Sequence, residues 1–134
     1  MRPCFIAALL CTTFSAAAQQ PSRTWQVPPG QEIVLGTYYE ARYDPRERTC
    51  TALRAPAVQV LQTARQGTLT VQRTGSAAIT DEPRCPQMRA PIAVLVYRAA
   101  TDARGQEDVA WRVTYQSGQL GARVFHARIV VQGR

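Results

Sequence analysis

Cys50 and Cys85, the single histidine His126 and nine carboxylates are the residues of this 134-residue chain that could carry covalent, metal or acid–base chemistry. Their spacing does not assemble a catalytic set. A nucleophilic cysteine needs a base beside it, and His126 is remote from both thiols in sequence. Beyond residue 18 the serines are Ser22, Ser76 and Ser117, and none sits in a Gly-x-Ser-x-Gly turn. Glu107 and Asp108 are adjacent, so on a strand they point to opposite faces and cannot act together across a cleft. Asp81-Glu82 falls in a proline-flanked loop, and both acidic pairs read as solvated loop charges. One histidine does not make a zinc site, and no glycine-rich phosphate loop is present. The sequence therefore points away from an enzyme and implies no cofactor and no metal. A divergent hydrolase is the remotest reading.

What the chain has in excess is arginine. All sixteen basic residues are Arg, and the formal net charge is +7. The charge is dispersed, without the basic run that marks a nucleic-acid arm. Arginine suits bidentate contact with carboxylate or phosphate, so an exported cation of this kind is drawn to anionic polymers and surfaces. If the alternating residues of the last two apolar runs face inward, Arg112 and Arg128 face outward from one sheet, with His126 between them. Arg98 and Arg123 are candidates to join that face, which would bind an anionic glycan, a lipid headgroup or an acidic protein. The plain alternative is that these are solvating charges. A second candidate surface is the loop Asp81 to Pro91, where Arg84, Gln87 and Arg89 flank Cys85. Pinned by that cysteine, the loop suits a small inhibitor or immunity-type factor that reaches into an enzyme. Trp25 and the Tyr38-Tyr39-Tyr43 cluster cannot all face inward, so one of Tyr38 and Tyr39 should be exposed.

The segments that must position these residues begin after an export signal. Arg2, an apolar run from Phe5 to Phe14 and the small-residue triplet Ala16-Ala17-Ala18 have the layout of a signal peptide at residues 1–18. The run is shorter than the ~20 residues needed to span a bilayer, so no membrane span is expected after cleavage. Export places the protein in the periplasm or outside the cell, where thiols oxidise. With Cys4 and Cys11 removed, Cys50 and Cys85 are the remaining pair and read as a disulfide. Such a bridge closes a loop of about 35 residues and contributes roughly 3–4 kcal/mol by the chain-entropy estimate.

Residues 19–30, with Pro21, Pro28, Pro29 and Gly30, read as an extended leader without stable structure of its own. Residues 31–134 then show short β-prone runs between turns: Glu32 to Tyr39, Ala57 to Gln62, Thr68 to Arg73, Ile92 to Arg98, Val109 to Tyr115 and Arg123 to Gln132. Weaker candidates lie at Thr49 to Leu53 and Ala77 to Thr80. Val109, Trp111, Val113 and Tyr115 alternate with small or polar residues, as do Phe125, Ala127, Ile129 and Val131. Gln66-Gly67 reads as the turn of a hairpin, and Asp102 to Gly105 as the loop between two strong strands.

Two motifs carry a family resemblance. Gly67-Thr68-Leu69-Thr70-Val71 is similar to a Gly-Thr-aliphatic-x-Val strand start, and Val96-Tyr97 followed by Gly105-Gln106-Glu107-Asp108-Val109-Ala110-Trp111 resembles Val-x-Tyr and then Gly-x-Asp-x-Phe-x-Tyr. Over residues 57–132 the chain thus resembles a bacterial immunoglobulin-like domain of the cadherin-like sort. The resemblance implies an antiparallel sandwich of about seven strands, and a binding role rather than catalysis. The chain lacks the clustered Asp-x-Asp or Asn-Asp motifs of calcium-binding members. The expectation is an exported, non-catalytic interaction domain whose partner is a protein or an anionic envelope polymer, and not nucleic acid. Intact mass and N-terminal sequencing of exported protein should give a chain beginning at Gln19, and a chain retaining Met1 would contradict the export reading.

Overall fold

The computed structural model describes residues 23–133. The segment 1–18 read as a signal peptide, with Cys4 and Cys11, lies outside these residues. The described residues contain nine strands and no helix: β1 (Arg23–Val27), β2 (Glu32–Tyr38), β3 (Ala41–Asp44), β4 (Thr49–Ala52), β5 (Ala57–Gln62), β6 (Gly67–Ala78), β7 (Arg89–Ala99), β8 (Gly105–Thr114) and β9 (Ala122–Val131). They form a four-stranded sheet in the order β1-β9-β8-β5, a three-stranded sheet in the order β2-β7-β6, and the separate pair β3-β4.

Alternation builds the core. Val109, Trp111 and Val113 on β8 and Ala127, Ile129 and Val131 on β9 are all buried, and they share one hydrophobic cluster with Leu35 of β2 and Leu95, Tyr97 and Ala99 of β7. The larger sheets therefore bury their apolar rows against each other, which is the dominant stabilising term for a domain of this size. A polar tie crosses between them at Trp111. The Trp111 indole N–H donates to the Tyr38 hydroxyl at 2.7 Å, while Phe125 stacks on Trp111 with ring centroids 5.8 Å apart. Gly36 makes the tie possible, because a side chain there would occupy the space taken by the Tyr38 ring.

The strand count exceeds the seven expected because of β1 and the β3-β4 pair, although one expected division of the chain is lost. Arg23–Val27, read as unstructured leader, is a strand: it pairs in parallel with β9, Arg23 opposite Ala127 and Val27 opposite Val131. Pro28-Pro29-Gly30 then carries the chain from one sheet to the other. Gly30 takes a positive φ of 75°, and the Gln31 N–H donates to the Pro28 carbonyl at 3.1 Å. The weak candidate near Thr49 pairs with an unforeseen strand, β3, across a turn set locally by Asp44. Its carboxylate accepts from the Arg46 and Glu47 N–H groups at 2.8 and 3.3 Å. Finally, the runs at 68–73 and 77–80 are largely one strand, β6, interrupted by a register shift between Thr74 and Ala77.

Gln66-Gly67 does not close a hairpin. β5 pairs with β8 and β6 with β7, so the turn passes the chain between sheets. Glu107 fixes it there, accepting from the Arg65 and Gln66 N–H groups and from the Tyr97 hydroxyl at 2.7 Å. Burial and this carboxylate together push the Tyr97 phenol up from its ordinary pKa. The expected disulfide is present between Cys50 of β4 and Cys85, with Cα atoms 5.8 Å apart. It ties the β3-β4 pair to the loop before β7.

Leu95 is wholly buried, whereas Val34 is 49% exposed. Leu95→Ala should lower stability by about 2–5 kcal/mol in chemical denaturation, through lost burial and an unfilled cavity. Val34→Ala should change it by no more than about 0.5 kcal/mol. Equal effects would contradict the assignment of the inner face.

Candidate functional site

The predicted arginine face forms only in part. Arg112 of β8 and His126 and Arg128 of β9 are exposed on one face of the four-stranded sheet, as the alternation requires. Arg128 is neutralised by its cross-strand neighbour Asp108, with Nε to Oδ1 at 2.9 Å, and that contact lowers the Asp108 pKa. Arg98 does not join them. It lies on β7 in the other sheet, where its guanidinium pairs with Glu32 at 2.6 Å. Arg123 shares the parity of Phe125 and Ala127, so it belongs to the inner row at the strand's exposed end. There its charge opposes the rise that burial gives the Tyr115 phenol.

The loop candidates separate in the same way. Cys85 is buried and anchors the loop. Arg84 turns back onto Glu82, with Nε to Oε1 at 3.0 Å, and its guanidinium lies 5.3 Å over the Tyr43 ring. Arg89 donates to the Ser76 hydroxyl at 3.0 Å and to the Ser76 carbonyl at 3.2 Å. Only Gln87 is left exposed without a side-chain partner among the described residues, at a positive φ of 62°. Both cations of the loop are thus engaged within the chain while their side chains stay exposed. The tyrosine expectation also changes: Tyr38 and Tyr39 are both half-buried, since the first reaches Trp111 and the second packs beside Asp81. Burial and Asp81 push the Tyr39 phenol up to about 12.

The acidic pairs divide: Asp81 and Asp108 are exposed, as expected of solvated charges, whereas Glu82 and Glu107 are partly buried and engaged within the fold. Glu107 and Asp108 lie on β8 and point to opposite faces as expected, the first clasping the β5–β6 turn and the second pairing with Arg128. Glu82 pairs with Arg84, and that contact lowers its pKa.

The most organised polar group in the chain is one that sequence patterning passed over. Glu40, in the link from β2 to β3, is only 2% exposed. Its two carboxylate oxygens accept from the Gln116 and Ser117 N–H groups, both at 2.7 Å, and its own carbonyl accepts from the Leu53 N–H at 2.9 Å. Burial alone would raise its pKa; the two backbone donors, the Ser117 side chain and the charge of Arg42 outweigh that and hold it below the ordinary value. Gln116, positioned by this clasp, donates through Nε2 to the Arg54 carbonyl at 2.8 Å and accepts from Arg54 Nε at 3.4 Å.

These contacts shape one wall of a cleft of about 560 Å³ at the end of the molecule where β5 begins. Arg54, Ala57, Arg73, Thr74, Tyr115 and Gln116 are among its lining residues. Arg73 has the parity of Leu69 and Val71, so it occupies the inner row of β6 where the sheets part. That parity was visible in the sequence, and it is the signal that would have found the cleft. No protein-family model, curated protein or solved structure matches this chain.

Because the pKa of Glu40 falls on folding, its stabilisation is present above the ordinary glutamate value of 4.5 and is lost as pH drops through the folded value. Glu40→Gln should therefore destabilise the protein by about 1.5–3 kcal/mol at neutral pH, the scale of a charged hydrogen bond. The deficit should shrink in denaturation curves taken at progressively lower pH. A deficit constant down to acid pH would contradict the ionised clasp.

Proposed function

We propose that this chain is an exported, non-catalytic interaction domain of immunoglobulin-like sandwich architecture that binds a protein or an anionic envelope component. The observation that carries the reading is the unequal use of charge. Glu32, Glu82 and Asp108 are spent on internal ion pairs, while Asp44, Glu40 and Glu107 accept backbone N–H groups. Only Arg84, Arg98 and Arg128 sit in ion pairs among the described residues, so most guanidiniums face solvent without a carboxylate partner. Carboxylates engaged in this way are poor acid–base catalysts, and the remaining surface is cationic.

Two further features support the reading. The disulfide suits an oxidising compartment, in keeping with the signal-like N-terminal segment. Two sheets sharing a core, with a chain that switches between them at Pro28-Pro29-Gly30 and at Gln66-Gly67, are compatible with an immunoglobulin-like sandwich. Of the charges on the Arg112 face, Arg112 holds no ion pair among the described residues and is the residue freest to meet an anion.

The test is retention of the exported protein on an immobilised envelope fraction. Binding at low salt should weaken as ionic strength passes about 0.15 M, where screening reaches within roughly 8 Å. Arg112→Gln should shift elution to lower salt. No retention at any ionic strength would overturn the proposal.

A further inference from the structure

Among the described residues, the two sheet edges joined by the β5–β6 turn have no further partner: β5 pairs only with β8, and β6 pairs only with β7. β6 runs for twelve residues, contains no proline, and from Gly67 to Thr74 its second edge has no partner strand. Open edges of this length are usually blunted by proline, bulges or charge. Here the bulge comes only after Thr74, and the blunting charge is Arg73. Arg73 lines the cleft together with Arg54, and no carboxylate is among the lining residues. Glu40, bonded to the N–H of the lining residue Gln116, has both oxygens occupied by backbone donors.

A lone inward arginine would serve as a simple guard against pairing. Two guanidiniums in one cleft, one of them held by the Gln116 side chain, make a site that favours anionic occupants. The free backbone row favours one kind. A row of main-chain N–H and C=O groups at strand spacing is matched along its whole length by another extended peptide, whose own groups repeat at the same interval.

We propose that β6 accepts an extended acidic segment of a partner protein as an added strand, with carboxylates on alternate residues meeting Arg73 and Arg54 in the cleft. The other row of the added strand lies beside Thr68, Thr70, Gln72 and Thr74, the outward side chains of β6, and so is small and polar or β-branched. The segment therefore alternates acidic and Thr- or Val-like residues. This inference rests on the interaction-domain reading and names its partner class and its surface.

The probe is a capped octapeptide of alternating Thr and Glu, titrated into the exported protein by calorimetry with amide-shift mapping. The expected result is binding that perturbs β6 and Arg54 amides, and that weakens about tenfold when Gln replaces Glu. Arg73→Gln and Arg54→Gln should each weaken it several-fold, whereas Arg112→Gln should leave it unchanged. Both cleft residues are exposed, so these variants should keep the wild-type fold, checked by their spectra. N-methylating all Thr or all Glu residues of the peptide should abolish binding in one case and spare it in the other, because only one row of amides faces β6. No binding, indifference to Gln replacement, shifts confined to the Arg112 face, or any other N-methylation pattern would overturn the assignment. Retention on the envelope fraction without peptide binding would reject this site alone and leave the broader reading in place.

Discussion

A carboxylate enclosed by protein must find donors or unfold what encloses it, and Glu40 is the residue that imposes this constraint here. Its isolated charge would be prohibitively costly at 2% exposure. The Gln116 and Ser117 N–H groups remove that cost, and in doing so they fix the β8–β9 turn against the β2–β3 link. The Leu53 N–H on the Glu40 carbonyl brings in the segment leading to β5. Three non-adjacent pieces of chain thus meet on one residue. Breaking one partner leaves the charge unsatisfied, so the clasp closes as a unit.

The opposite end of the molecule uses the same device with a different acid. Glu107 accepts from Arg65, Gln66 and Tyr97, and holds the turn that carries the chain from the four-stranded to the three-stranded sheet. Between the two clasps lies the shared core, bridged by the Trp111–Tyr38 hydrogen bond. Using acids as internal acceptors has a consequence for the surface. Glu32, Glu40, Asp44, Glu82, Glu107 and Asp108 are engaged within the fold, so most of the carboxylates are not free to balance the arginines of the exterior. Fold and electrostatics are in this sense one arrangement, and the cleft at the Glu40 end sits where both meet.

Much of this architecture was legible in the residues. The strict alternation of Val109 to Val113 and of Phe125 to Val131 places the inner face correctly, because period-two patterns survive any choice of strand partner. The disulfide followed from there being only two cysteines beyond the signal-like segment. What sequence could not supply was partnership. A parallel β1–β9 pair leaves no local signal, and the prolines around it read as disorder. The turn at Gln66-Gly67 looks like a hairpin until Glu107, some forty residues away, is seen to hold it between sheets. Arg98 and Arg112 are indistinguishable by exposure and differ only in which sheet their strands join. Glu40 was hidden for a similar reason: nothing near it in the chain reveals that its donors lie at positions 116 and 117.

Residue-resolved amide hydrogen exchange tests the clasp most directly. If the buried carboxylate organises the end of the molecule where the cleft opens, the Gln116 and Ser117 amides exchange slowly despite their place in a surface turn, and Glu40→Gln releases both together. Exchange of these two amides at the rate of the open neighbouring Gly118, in the unaltered protein, would contradict the account.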